Sequence, residues 1–497
     1  MNRVWTLPVV CFVSSAFAQS LPPVTGGPAL REFWQAASDS RVDVVGIGDS
    51  NQNFGGEGWD RGWGRALADS FGLYATGLHS MGEGNGNSVG VGYLASTWAT
   101  ASGGQFQYSG APEPLNGFLS GTNIHPNYYL YAPAGRTVSG HYTTGLILSA
   151  SHALNIAGNL RFHTVFGQFE GSGVGSFRPA VRMDAPPYAN LVWDDAVSTR
   201  TGVDGQWGLA RTTLDLPAAS RPFPLGFRLA RAGQDSIVGP FLAYYVRCEN
   251  TDKTQGAAYH SLFGMGGGSV YDMASALIAA PDLTLTTFFY EVRLLQSGVK
   301  RVLVRVNAGL NDRNEQQPSV NNGYLPGNSA QAFGDNCQAI IDRIQEIWTL
   351  NGWDTGELFF VFTVSHPIAT PDDAVLLTYR AAAETLALTN PRTATARFDA
   401  LTSATEMAAN AWYQSPTDSS HLRAAGFDAL AARELAALMA AAVCPSDIDA
   451  DGDADSDDIT VFFNAWDQGE ITSDFDGDGD TDSDDIVVFF GAWDSGC

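Results

Sequence analysis

Positive charge is scarce in this sequence: 27 Lys and Arg stand against 53 Asp and Glu, for a net charge of −26 at pH 7. With no basic run anywhere, the electrostatic footprint of a nucleic-acid binder is missing, and no nucleic-acid partner is expected. Long apolar runs are missing too. No later segment offers the roughly 18 uninterrupted apolar residues of a bilayer span, so no membrane partner is expected either. What the chain of 497 residues does have is 44% apolar residues. That suffices for at least one large core and more than one domain, and it excludes a disordered chain.

The N-terminus, MNRVWTLPVVCFVSSAFAQS, places Arg3 before an apolar run that Pro8 interrupts and Ala16-Phe17-Ala18 ends. Too short for an anchor, it reads as a signal peptide over residues 1–18 and predicts a soluble, secreted protein, extracellular or periplasmic. Cysteine is sparse, five in all, and losing the leader removes Cys11. Cys248, Cys337, Cys444 and Cys497 remain, an even number in an oxidising compartment. Four cysteines allow three pairings. Cys444 with Cys497 is expected because they bracket one compact segment, which leaves Cys248 with Cys337; buried free thiols are the alternative.

The acidity is concentrated at one end. From Cys444 to Cys497 there are 16 Asp, one Glu and no Lys or Arg, so this tail carries −17 and leaves −9 for the other 443 residues. It contains DIDADGDADSDDITVFFNAW from Asp447 and DFDGDGDTDSDDIVVFFGAW from Asp474, one pattern repeated 27 residues on. Oxygen ligands fall at loop positions 1, 3, 5 and 12, with glycine at position 6, the spacing that wraps a chain around calcium. In the first copy these are Asp447, Asp449, Asp451 and Asp458, with Gly452; in the second, Asp474, Asp476, Asp478 and Asp485, with Gly479. Asp453 and Asp480 would contribute backbone carbonyls, and Asp455 and Asp482 would bind through water. A solvated acidic tail would need neither the fixed glycine nor the apolar helix expected after each loop, and folding should depend on the metal. The duplication resembles a dockerin, residues 444–497, with Asp in place of Glu at position 12; that resemblance implies two structural Ca2+ sites and a possible cohesin-type scaffold protein as partner.

In the body, VDVVGIGDSN delivers Ser50 at the tip of an apolar strand, where open α/β folds place their chemistry. RVLVRVNAGLND repeats the design and ends in Asn311 and Asp312. AAYHSLFGMGGGS brings glycines that let a backbone N–H approach a ligand. SPTDSSHLRAAGF sets Asp418 three residues before His421, just ahead of an amphipathic helix. A serine hydroxyl needs a base to take its proton, and the base works best when a carboxylate orients it; Ser50, His421 and Asp418 supply those roles. The oxyanion needs donors, which the Ser50 N–H, the Gly267 N–H and the Asn311 amide can provide. His366, in TVSHP, is a rival base, but no carboxylate sits at triad spacing beside it.

In their order, these blocks resemble the SGNH (GDSL-type) hydrolases. The resemblance implies a three-layer α/β/α fold around a flavodoxin-like parallel sheet, esterase or deacetylase activity, and no cofactor for catalysis. Strand-like stretches at Val42 to Gly48, before Gly264, at Val302 to Val306 and at Leu358 to Val364 alternate with helical patterns in the same sense. Ser50 and Gly267, however, lie 217 positions apart, and the stretch 135–250 reads as short alternating segments between Gly, Pro and Asp turns. This predicts an inserted β-sandwich within a discontinuous catalytic domain of residues 19–134 and 251–443. Trp193, Trp207 and Tyr245 are candidate sugar platforms or core. The expected substrate is an acetylated polysaccharide. The alternatives are a lipase or general carboxylesterase and a non-catalytic, carbohydrate-binding, scaffold-docking protein.

Overall fold

A computed structural model describes residues 23–52, 58–80, 241–265, 268–314, 329–368 and 373–442, strand-sized pieces between 130 and 238, and residues 446, 448, 454–470, 473–475 and 480–494 of the tail. The leader, Trp207, Gly267, Cys444, Cys497, Asp447, Asp449, Asp451, Asp453, Asp476 and Asp478 lie outside the described residues.

The central sheet is built from β1 (Val24–Thr25), β2 (Arg41–Asp49), β3 (Gly256–Met265), β4 (Val302–Ala308), β5 (Leu358–Val364) and β6 (Thr393–Arg397), in the order β1-β6-β5-β4-β2-β3. All neighbours run parallel except the short edge strand β1, which is antiparallel to β6. Starting from β2, the chain moves out to β3 on one side and returns to β4 on the other, so the strand order reverses between β2 and β4. That reversal is where open α/β sheets leave a crevice at their carboxyl ends.

Burial on both faces follows from the alternation of the strands. Val304, Val306, Phe360 and Phe362 point to one core, shared with α3 (Val270–Ala279), α4 (Asp282–Arg293), α6 (Ala330–Leu350) and α7 (Asp373–Thr389). Val44, Leu303, Phe359 and Val361 point to the other, shared with α1 (Arg31–Asp39), α2 (Trp59–Phe71) and α10 (Ala424–Ala442). A short α5 (Leu310–Asn314) follows β4, and α8 (Phe398–Leu401) and α9 (Ala404–Ala409) follow β6.

Strands between Leu130 and Asn250 form two antiparallel sheets. One orders Gly208–Leu216, Leu160–Gln168, Phe241–Asn250 and His79–Ser80, with Leu130–Ala132 also on Phe241–Asn250; it thus recruits residues ahead of position 135. The other is centred on Ser176–Arg182. Phe166 meets Phe177 edge to face at 5.0 Å between the two, while the opposite face, through Val165 and Tyr245, packs on Phe288 of α4. Tyr245 is therefore core, 1% exposed, and is no sugar platform.

The expected Cys248–Cys337 bridge is corrected by the structure. Both are free, fully buried thiols. Cys248 lies in the Phe241–Asn250 strand, and Cys337 lies on α6 in the core that α6 shares with the sheet. In the tail, α11 (Ser456–Gln468) and α12 (Ser483–Asp494) follow the acidic loops, and Phe462 stacks on Phe489 with ring centroids 4.2 Å apart.

Candidate active site

Register brings the chemistry together. Gly48 pairs with Asn307, and Ala308 with Val364, so the ends of β2, β4 and β5 finish at one edge. At the end of β2, Asp49 accepts the Asn51 N–H on its side chain at 2.8 Å and the Gln52 N–H on its carbonyl at 3.0 Å. This Asx-type turn leaves Ser50 at the bend, partly exposed.

Asp418 and His421 both lie on a hairpin, β7 (Tyr413–Ser415) paired with β8 (Asp418–Leu422). Ser415 Oγ accepts the Asp418 N–H at 3.0 Å, and Asp418 Oδ1 accepts the N–H groups of Ser420 and His421, each at 3.1 Å. The carboxylate then faces back onto the imidazole, with His421 Nδ1 3.0 Å from Oδ2 and 3.3 Å from Oδ1. An ionised carboxylate only accepts, so Nδ1 carries the proton and Nε2 presents its lone pair. That lone pair lies 3.1 Å from Ser50 Oγ. Burial alone would raise the Asp418 pKa, but the hydrogen bonds from the His421 ring and backbone outweigh it and hold the carboxyl below its ordinary value. Hydroxyl, imidazole and carboxylate touch in series.

Asn311 stands across the crevice on α5. Gly309, with φ of +103°, turns the chain there, and an added Cβ would meet Val364 Cγ1 at 2.9 Å. Asp312 accepts the N–H groups of Gly309 at 2.9 Å and Val270 at 3.0 Å, fixing the α5 turn to the start of α3. Asn311 Nδ2 donates to the Gly268 carbonyl at 3.1 Å and lies 3.5 Å from Asp49 Oδ2. Burial pushes the Asp49 carboxyl up to about 6, against the Asn51 hydrogen bonds and the nearby His421 and Arg305 charges that lower it. Neither Asp49 nor Asn51 was singled out in the sequence, although both adjoin the serine that was. His366, the rival base, does not face Ser50; its buried ring turns to the Ser419 carbonyl at 3.1 Å.

For a metal, the donor chemistry lies in the tail. Asp458 and Asp485 are each 1% exposed, and their carboxylates accept the N–H groups of Asp455 and Asp482, both at 2.8 Å. Two buried carboxylates in a segment without Lys or Arg suit a hard divalent cation. Among the described residues no three His, Cys, Asp or Glu side chains form a ready metal group.

No family model matches the chain, and no curated protein matches it. Similar solved structures include a peptidoglycan O-acetylesterase, at 15% identity and a TM-score of 0.44 over 83% of this chain and 94% of that one. A family two carbohydrate esterase from Cellvibrio japonicus is 10% identical, with a TM-score of 0.24 over 64% of this chain and 94% of that one. An acetyl xylan esterase from the rumen bacterium Butyrivibrio proteoclasticus is 10% identical, with a TM-score of 0.24 over 58% and 87%. No helix among the described residues is long and apolar enough to cross a membrane.

Proposed function

We propose that the chain is a secreted serine esterase of the SGNH type that hydrolyses O-acyl esters, foremost O-acetyl esters, on a polysaccharide. The observation that carries this reading is the contact series from Ser50 Oγ through His421 Nε2, at 3.1 Å, to Asp418 at 3.0 Å from Nδ1. In the proposed cycle His421 takes the Ser50 proton as the oxygen attacks the ester carbonyl, then hands it to the departing sugar hydroxyl. Asp418 holds the imidazole in the productive tautomer and offsets its developing charge. Water then attacks the acyl-enzyme, again with His421 as base, and the carboxylic acid leaves. The oxyanion takes the Ser50 N–H, the Gly267 N–H and the Asn311 amide; at Asn311 the 3.5 Å contact to Asp49 is the weaker one and is the one exchanged. The hydrolase fold is the discontinuous domain 19–134 and 251–443, with the 135–250 insertion a β-sandwich. The 444–497 module binds two Ca2+ ions through Asp447, Asp449, Asp451, Asp453 and Asp458 and through Asp474, Asp476, Asp478, Asp480 and Asp485, and docks a cohesin-type partner. The burial of the Asp458 and Asp485 carboxylates, each accepting a backbone N–H, supports this reading.

The test is hydrolysis of p-nitrophenyl acetate by the whole chain. Ser50→Ala should abolish turnover and leave the circular dichroism spectrum unchanged; unchanged turnover would remove Ser50 from the mechanism. Comparing acetyl with octanoyl esters separates this reading from a lipase, and labelling by a fluorophosphonate probe separates it from a non-catalytic binder.

A further inference from the structure

Two buried side chains outside the contact series hold successive carbonyls of the strand that carries His421. Asn51 Nδ2, one residue past Ser50, donates to the Ser420 carbonyl at 3.1 Å. His366, two residues past the end of β5, lies with Nε2 3.1 Å from the Ser419 carbonyl, and its Nδ1 faces Ser365 Oγ at 3.4 Å. A carbonyl only accepts, so His366 carries its proton on Nε2, and Nδ1 accepts from the serine hydroxyl. The ring is fully buried, where a polar group is costly unless it makes its hydrogen bonds. Tyr413, on the partner strand of the hairpin, donates its hydroxyl to the Pro367 carbonyl at 2.8 Å, so both strands are tied to the same segment.

We infer that His366 is a positioning residue for the proposed ester hydrolysis: its Nε2–H holds β8 so that the His421 ring stays in line with Ser50 Oγ. The inference rests on the esterase reading. A buried Phe or Leu would fill the same space without directing the Ser419 carbonyl, which is one residue from Asp418 and two from His421. Charge supports the assignment as well. Burial, with His421, Arg380 and Arg313 nearby, pushes the His366 pKa down to about 4, against the Ser419 hydrogen bond that raises it. A neutral ring keeps a single tautomer and does not repel the imidazolium that His421 becomes during the reaction.

The experiment compares His366→Phe, which keeps the ring volume and removes the donor, with His366→Gln, which restores a side-chain N–H. On p-nitrophenyl acetate the Phe variant should lose about 10–100-fold in kcat with KM changed by less than about twofold, because a misaligned base weakens proton transfer and not substrate binding. The Gln variant should recover to within about fivefold of wild type. A Phe variant with wild-type kcat, or Phe and Gln variants equally impaired, would overturn the inference. Nitrogen NMR of the wild-type chain adds a readout that needs no variant to fold: His366 should remain an Nε2–H tautomer from about pH 5 to about pH 8, and titration near the ordinary histidine value would overturn the assignment. Turnover that survives Ser50→Ala fails the esterase reading and this inference with it; turnover lost in Ser50→Ala but intact in His366→Phe fails this inference alone.

Discussion

Beneath the sheet, on the face opposite α6, Glu434 of α10 is fully buried and collects donors from three side chains. Arg305 of β4 reaches it with Nη2 at 2.8 Å and Nε at 3.2 Å, Trp63 of α2 with Nε1 at 2.9 Å, and Thr363 of β5 with its hydroxyl. The Arg305 guanidinium lies over the rings of Trp59 and Trp63, at 4.7 and 5.2 Å. Glu434→Ala would leave that cation buried without its anion, a loss of about 3–5 kcal/mol when one partner of a buried pair is removed. The Trp63 and Thr363 donors would lose their acceptor too, at about 1 kcal/mol or more each. These terms do not simply add, so the expected loss is about 4–6 kcal/mol, a large share of the roughly 5–15 kcal/mol of a typical fold. Glu434→Leu combined with Arg305→Met removes both charges and should cost less than Glu434→Ala, since no lone ion remains. Urea unfolding followed by tryptophan fluorescence reads both. A Glu434→Ala loss below about 1 kcal/mol, or a double variant less stable than the single, would refute the view that charge pairing holds α10 to the sheet. Activity should fall as well, because α10 starts just past the hairpin that carries His421.

Asp49 gives a pH-dependent prediction. Its pKa rises from 3.8 to about 6 on folding, so in that window the folded chain keeps a proton that the unfolded chain has released, and stability falls as pH rises. The gap corresponds to a change on the order of 3 kcal/mol. Unfolding free energies of wild type and Asp49→Asn from urea titrations should therefore diverge by that order between about pH 4 and about pH 7.5, with wild type losing ground; parallel curves would refute it. His366, lowered from 6.5 to about 4, acts the other way as pH falls, but it cancels in the comparison. Gly62 of α2 touches α10: an added Cβ would meet the Phe427 carbonyl oxygen at 2.5 Å, so Gly62→Ala should cost about 1–3 kcal/mol in thermal unfolding despite the better helix propensity of alanine. Chelating calcium with EGTA should lower the melting temperature of the tail while p-nitrophenyl acetate turnover persists; a tail that melts unchanged would sink the calcium assignment.

The strands that were legible in the sequence were those whose side chains are apolar on both faces. β2, β4 and β5 stand close to where their hydrophobic runs place them, and β3 covers the weaker stretch expected before Gly264. β6 was missed because it reads Thr-Ala-Thr-Ala-Arg; Thr393 and Thr395 are buried all the same, and the Thr395 hydroxyl donates to the Phe362 carbonyl at 2.6 Å. The hairpin at His421 was not legible, since its pairing depends on a short partner strand with no apolar signature of its own. The Cys248–Cys337 pairing failed for a different reason: parity and compartment say nothing about distance, and both cysteines stay free, buried thiols.

By itself the sequence determined the chemical types and their local settings: a serine at a strand tip, a carboxylate three residues before an imidazole, and a duplicated acidic loop with its glycine. Those follow from spacing along the chain, which is all that short-range geometry needs. The fold alone decided that Ser50 and His421, 371 positions apart, stand 3.1 Å from each other. It also decided that His366 turns to the Ser419 carbonyl of the strand that carries His421, because strand order and register, set by the packing of two cores, fix which loops share an edge.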